Sequence, residues 1–236
     1  MAGFDQSLAD KLNSEIHTAE DALRWASENL HPKVGKASSF GAEDSVLMDM
    51  MVGINPEFRF FTLDTGRLPQ ATHDAIDAAR RRYKARIEVL FPDAGRVREM
   101  VGQKGQNLFY DSVENRKLCC HIRKVEPMNA MLETLDGWIT GLRRDQTQAR
   151  RDATMFQIDA AHGNMLKINP LIDWSWEDVW RYIRENDVPY NSLLDRGYPS
   201  IGCEPCTRPV RPGEDIRAGR WWWEQGIKEC GLHHGA

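Results

Sequence analysis

No stretch of the chain holds the roughly 18 consecutive apolar residues of a membrane-spanning helix. The opening Met1-Ala2-Gly3-Phe4-Asp5-Gln6 lacks a basic segment followed by an apolar run, so no secretory leader is expected. A soluble, cytoplasmic protein without a membrane partner is the expectation. Excess positive charge is missing too. Against 35 Asp and Glu stand 31 Lys and Arg, a formal net charge of −4, which leaves no overall electrostatic footprint for nucleic acid. An anionic ligand would then need local cationic clusters, such as Arg143-Arg144, Arg150-Arg151, Arg208 to Arg211 and Arg217 to Arg220. No Gly/Ser/Pro-rich linker or internal repeat divides the 236 residues. One domain over 1–236 is expected, with a helix in 1–30 and an arm from about 207 to 236. Cysteine is scarce and odd in number, five residues, which disfavours a disulfide framework.

The cysteines that are present fall into a pattern. Cys119-Cys120 are adjacent, Cys203 and Cys206 are separated by two residues, and Cys230 stands alone near the C-terminus. That arrangement reads as four ligands and one nucleophile, because a tetrahedral metal or cluster site consumes four thiolates. A thiol in the run Lys228-Glu229-Cys230-Gly231-Leu232-His233-His234 has basic neighbours that make it reactive.

Elsewhere, strand-like and helix-like segments alternate: Lys36 to Phe40 then Glu43 to Ile54, Phe58 to Leu63 then Pro69 to Tyr83, Arg86 to Phe91 then Gly95 to Val101. That rhythm predicts an α/β fold with a mostly parallel sheet and helices on both faces. Trp138 to Leu142 and Met155 to Asp159 read as further strands, and Ser175 to Glu185 as an amphipathic helix. Leu8 to Leu30 reads as one amphipathic helix outside the sheet.

Three turns at expected strand ends are candidates for a ligand site. The loop Ala37-Ser38-Ser39-Phe40-Gly41-Ala42-Glu43-Asp44-Ser45 joins a strand to a helix through small and hydroxyl residues, a cradle for phosphate or sulfate. It lacks the Lys that ends a Walker A motif. Leu63-Asp64-Thr65-Gly66-Arg67 and Gly141-Leu142-Arg143-Arg144-Asp145-Gln146 are the other two.

Cys203-Glu204-Pro205-Cys206 has a spacing that zinc also uses. Adjacent cysteines, by contrast, point in different directions, which suits two irons of a cubane better than two vertices of one zinc tetrahedron. Cys119-Cys120 alone, flanked by Leu118 and Ile122, also reads as part of a core helix. Arg116, Lys117, Arg123 and Lys124 around the pair argue for a thiolate site whose negative charge needs offsetting. The tail carries Arg217 and Arg220, then Trp221-Trp222-Trp223, then Cys230 with His233 and His234. Three large aromatics predict that at least its base docks.

With these motifs in place, the chain resembles the assimilatory sulfonucleotide reductases, and among them the bacterial adenylylsulfate (APS) reductases with a 4Fe-4S cluster. The likeness rests on Ser38 to Asp44, Leu63 to Arg67, Cys119-Cys120-His121-Ile122-Arg123-Lys124-Val125-Glu126-Pro127, Gly141 to Arg144, Cys203 to Cys206 and Lys228 to His233. The resemblance implies an adenine nucleotide α-hydrolase-like fold with a C-terminal arm. It implies a cluster on Cys119, Cys120, Cys203 and Cys206 with a structural and electrostatic role. Members that reduce the 3′-phosphorylated substrate (PAPS) usually lack the paired cysteines, so the implied substrate is APS. Cys230 is the implied nucleophile, forming an S-sulfonate that thioredoxin or a similar dithiol resolves. Ser38, Ser39, Phe40 and Gly41 are then expected around the phosphate, and Leu63, Thr65, Gly66 and Gly141 along the adenine. Lys124, Arg143, Arg217, Arg220 and His233 are expected around the phosphosulfate. Rival readings are a PAPS reductase, an ATP-dependent RNA thiolation enzyme and a non-enzymatic iron-sulfur sensor. The sequence leaves homo-oligomerisation open.

Overall fold

The computed structural model describes residues 3–224. The chain enters through two helices, α1 (Gln6–Glu15) and α2 (Ala19–Leu30), where the periodicity predicted one. The break is chemical. The Thr18 hydroxyl accepts the Asp21 N–H at 3.1 Å, satisfying a first-turn donor as an N-cap does, and Ile16 and Thr18 are extended.

Strands and helices then alternate: β1 (Val34–Ser38), α3 (Ala42–Ile54), β2 (Arg59–Leu63), α4 (Gln70–Tyr83), β3 (Ile87–Leu90) and α5 (Ala94–Lys104). Next, α6 (Val113–Cys120) passes through a π-helical turn, His121–Val125, into α7 (Glu126–Leu132). β4 (Gly137–Ile139), β5 (Phe156–Asp159), β6 (Met165–Ile168) and α8 (Trp176–Glu185) follow. Beyond α8 the described chain makes only short 3-10 turns and one isolated bridge, Thr207 to Arg220.

The six strands lie in the order β3-β2-β1-β4-β6-β5. All neighbours are parallel except β5, which runs antiparallel to β6 at the edge. The side chain of Asn13 on α1 brackets that edge, accepting the Phe156 N–H at 3.0 Å and donating to its carbonyl at 2.9 Å. Unpaired backbone groups on an edge strand are thereby covered.

Period-two alternation distributes the strands between two apolar layers. Phe60 packs with Val34, Val46, Ile76 and Ile139 under α3, α4 and α8, whereas Phe61 packs with Met128, Met131, Leu135 and Trp138 under α7. Each buried Phe contributes about 1.5–3 kcal/mol of apolar transfer free energy. A third cluster joins Met100 of α5, Phe109, Cys119, Ile122, Cys206 and Trp221, seating the C-terminal segment beside α6. The strand order reverses between β1 and β4, which opens a crevice at the carboxyl ends of the central strands.

Candidate active site

At the end of β1 the chain turns through Ser39, Phe40 and Gly41 into α3. Phe40 takes a left-handed φ of 58° and buries its ring in the core under α3. Asp44, in the first turn of α3, organises the loop: one carboxylate oxygen accepts the Ser39 N–H at 2.6 Å and the Ser39 hydroxyl at 2.8 Å. Its other oxygen meets the ammonium of Lys36, which is fully buried on β1. Gly141, after β4, closes on the same helix; a Cβ there would come within 3.0 Å of the Asp44 carboxylate and of Glu43 Cβ. Glycine permits this close approach of two backbones.

A cavity of about 380 Å³ opens over these turns, within the range of small-ligand sites. Ser38, Ser39 and Gly41 line one side, Leu63, Thr140 and Gly141 another, and Phe61, Met128 and Trp138 supply an apolar wall. Lys124, Arg143, Arg150, Arg217 and Arg220 add positive charge. Arg143, Arg150 and Arg220 are held by hydrogen bonds, Arg150 to the Gln146 amide oxygen. Arg143, 1 % exposed, donates from Nε to Glu43 Oε1 at 2.9 Å, also pairs with Asp145, and lies over the Trp176 ring at 5.6 Å. Gln146 donates to the same Glu43 oxygen at 2.8 Å. Arg220 donates to the Ile201 carbonyl at 3.1 Å and the Ser200 hydroxyl at 3.3 Å.

A second, smaller cavity is lined by all four of Cys119, Cys120, Cys203 and Cys206, with Arg67, Arg116, Arg123 and Lys124. These cysteines are free thiols. α6 presents the adjacent pair, and a short 3-10 turn at Glu204–Cys206 presents the second pair. Burial pushes the Cys119 thiol up. Burial, reinforced by Cys203 and Cys120, pushes Cys206 up to about 12. Cys203 goes the other way: burial raises it, but Lys124, the Thr65 hydroxyl 3.2 Å from its sulfur, Arg220 and Arg123 together hold it below the usual thiol value. Lys124 lines both cavities, so one ammonium borders the thiols and the larger crevice.

Of the residues expected at a nucleotide, Ser38, Ser39, Gly41, Leu63, Lys124, Gly141, Arg143, Arg217 and Arg220 line the larger cavity. Phe40, Thr65 and Gly66 do not. Phe40 turns into the core, Thr65 faces Cys203, and Gly66 forms a turn at φ 70° with its N–H on Asp64. Cys230 and His233 lie outside the described residues. Sequence reasoning missed Arg67 as a wall of the thiol cavity, and Glu43, Gln146 and Trp176 as supports of Arg143. The signal for Arg67 was its place in the turn after β2, and Gln146 lies in the same turn as Arg143; Glu43 and Trp176 carried none, because they reach Arg143 from α3 and α8 only through the packing of the fold.

Comparison with known proteins agrees with this geometry. Residues 34–209 match the phosphoadenosine phosphosulfate reductase domain. The chain is 47 % identical over 228 residues to an adenosine 5′-phosphosulfate reductase of Burkholderia cepacia, covering 96 % of this chain and 90 % of that protein. It is 49 % identical to the protein of the same name from Neisseria meningitidis serogroup B, covering 87 % of each. Among solved structures it is similar to a phosphoadenylyl-sulfate (PAPS) reductase from Candida auris in a phosphate complex. There the TM-score is 0.74 at 28 % identity, over 86 % of this chain and 97 % of that one. A Candida glabrata FMN adenylyltransferase, at 14 % identity and TM-score 0.56 over 86 % of this chain and 72 % of that one, shares the adenine nucleotide α-hydrolase-like fold. The match across 34–209 and the identity to these reductases show that the chain belongs to the phosphoadenosine phosphosulfate reductase domain family.

Proposed function

We propose that the protein reduces adenylylsulfate to sulfite and AMP, with Cys230 as nucleophile and thioredoxin or a similar dithiol as donor. The observation that carries this reading is the shared wall: Lys124 borders both a crevice of nucleotide size and a cavity lined by four thiols. In the proposed reaction the Cys230 thiolate attacks the sulfate sulfur, the sulfur–oxygen bond to phosphate breaks, and AMP leaves with that electron pair. A donor thiolate then attacks the Cys230 sulfur and expels sulfite. The donor's second thiol resolves the mixed disulfide, leaving the donor oxidised by two electrons and Cys230 free. Ser38 and Gly41 are assigned to the phosphate, with Ser39, whose two donors go to Asp44, as a wall of that loop; Leu63 and Gly141 are assigned to the adenine, and Lys124, Arg143, Arg217, Arg220 and His233 to the phosphosulfate. Glu43 and Asp145 offset part of the Arg143 charge.

A 4Fe-4S cluster on Cys119, Cys120, Cys203 and Cys206 suits the donor set. The four thiols share one cavity with four cations, yet among the described residues no three His, Cys, Asp or Glu side chains stand close enough for a single metal ion. A cubane takes its ligands on four irons, which suits four thiols that do not gather within reach of one metal ion. Bound there, it supplies a rigid charged body beside Lys124, while the two electrons of the reaction travel through thiols.

Preference for APS over PAPS is supported by 47–49 % identity to the reductases named for adenosine 5′-phosphosulfate, against 28 % for the PAPS reductase. Sulfite release from the two nucleotides with a dithiol donor tests it: kcat/KM is expected to be higher for APS, and equal or better use of PAPS reverses the assignment. Without reductant, APS is expected to leave a single sulfonate on Cys230. A Cys230→Ser protein is expected to bind APS and release no sulfite.

A further inference from the structure

Two guanidinium groups share one indole at the base of the C-terminal segment. Arg116 and Arg220 lie over the ring of Trp221, with Cζ 4.5 and 4.8 Å from its centroid. Trp221 is 1 % exposed, has a left-handed φ of 40°, and donates its backbone N–H to the Cys206 carbonyl at 3.1 Å. Arg116 borders the thiol cavity and Arg220 the nucleotide-sized one. Two cations so near one ring repel each other. Glu224 offsets the first of them in a two-pronged pair, Nε to Oε1 at 2.9 Å and Nη2 to Oε2 at 2.8 Å, with both side chains about nine-tenths buried. Glu224 lines neither cavity.

Beyond the ring, Arg220 has a short set of contacts, among them a charge interaction with the Cys203 thiol. One nitrogen carries its two hydrogen bonds, at 3.1 and 3.3 Å, while Nε finds no partner among the described residues. Space for the group depends on Gly202, where a Cβ would fall 2.4 Å from Nη2. Stacking on Trp221 is therefore its broadest support. The same ring also carries Arg116, whose fork is fixed by Glu224.

We propose that Glu224 and Arg116 are positioning residues for sulfonucleotide binding, acting through Trp221 to hold the Arg220 guanidinium against the anionic end of the substrate. The inference rests on the assignment of Arg220 to the phosphosulfate. It makes a prediction opposite in sign to simple electrostatics. Removing the Glu224 charge raises the positive field at the crevice and by that effect alone tightens an anion. Loss of positioning loosens it.

The test is a double-mutant cycle on APS affinity, measured by calorimetry on the cluster-loaded full chain carrying Cys230→Ser to prevent turnover. Glu224→Gln is expected to weaken APS on the order of tenfold. In an Arg220→Ala background the same change is expected to weaken it less than about twofold, since nothing remains to be positioned. Unchanged or tighter binding in Glu224→Gln, or an equal loss in both backgrounds, overturns the proposal while leaving the substrate assignment intact. Failure of the Cys230→Ser protein itself to bind APS overturns the assignment and the proposal with it. Should Glu224→Gln fail to fold, as judged by thermal melting, Arg116→Lys takes its place in the same cycle with the same expectations. That variant keeps the charge but loses the planar fork.

Discussion

Lys36 and Asp44 illustrate how the loop after β1 is built from beneath. The ammonium is fully buried on β1 and the carboxylate nearly so, and the same carboxylate takes both donors of Ser39. Ser39 thus serves the crevice as a fixed wall, with its own N–H and hydroxyl directed to Asp44. Asp44→Ala would strand the Lys36 charge in the interior, for which the expected loss is about 3–5 kcal/mol. Urea denaturation measures it, and the paired change Lys36→Met with Asp44→Leu is expected to recover most of that loss. A cost below about 1 kcal/mol in the single variant would mean that Lys36 finds another partner. Ser38, Ser39 and Gly41, which line the larger cavity, were legible as a strand-to-helix turn from their residue types and position. Lys36 was not, since a Lys inside a strand pattern gives no sign of pairing with a helix eight residues on.

Among the elements, α8 was the most legible and the helix bearing Cys119 the least. Ser175 and Asp178 form a reciprocal cap: the Ser175 hydroxyl accepts the Asp178 N–H at 3.1 Å, and Asp178 accepts the Ser175 N–H at 2.8 Å. That exchange is written locally as Ser-x-x-Asp before an apolar pattern. Hydrogen bonding from the Ser175 hydroxyl, ahead of its backbone N–H, lowers the Asp178 carboxyl from 3.8 to about 2. A folded value below the unfolded one means that the contribution is present above the unfolded value and lost as pH falls through the folded one. The gap in melting temperature between the wild type and Asp178→Asn is therefore expected to be full at neutral pH and to shrink between 3.8 and about 2. A gap independent of pH would place the effect elsewhere. The path from α6 through the π-helical turn into α7 had no comparable signal. Its irregular ladder inserts an extra residue per turn, and Lys124, at the border of both cavities, sits on it.

Across the whole molecule, thiols from distant segments converge. Cys119 and Cys120 meet Cys203 and Cys206, with Arg67 from the turn after β2 and Arg116 from α6 around them. If the four thiolates hold a cubane, anaerobically purified protein is expected to contain about four irons and four acid-labile sulfides per chain. Cys203→Ser should lower both. Stoichiometric zinc without sulfide would replace the cluster reading with a single-metal one. The pairing of sulfurs was read from spacing, and the alternation of strands and helices from periodicity, because both are carried by neighbouring residues. The sequence carries no clear sign of β6 or of the antiparallel course of β5: both strands are four residues long, too short for a periodic signal to set direction. Residue types and local patterns in the sequence determined an α/β sheet, a strand-to-helix turn rich in small and hydroxyl residues, and a set of candidate ligands. Only the tertiary structure decided that Thr65 faces a sulfur, that Arg143 is shared with Glu43, and that Arg116 and Arg220 meet on Trp221. Those contacts join residues roughly a hundred positions apart, and their geometry arises from strand order and packing.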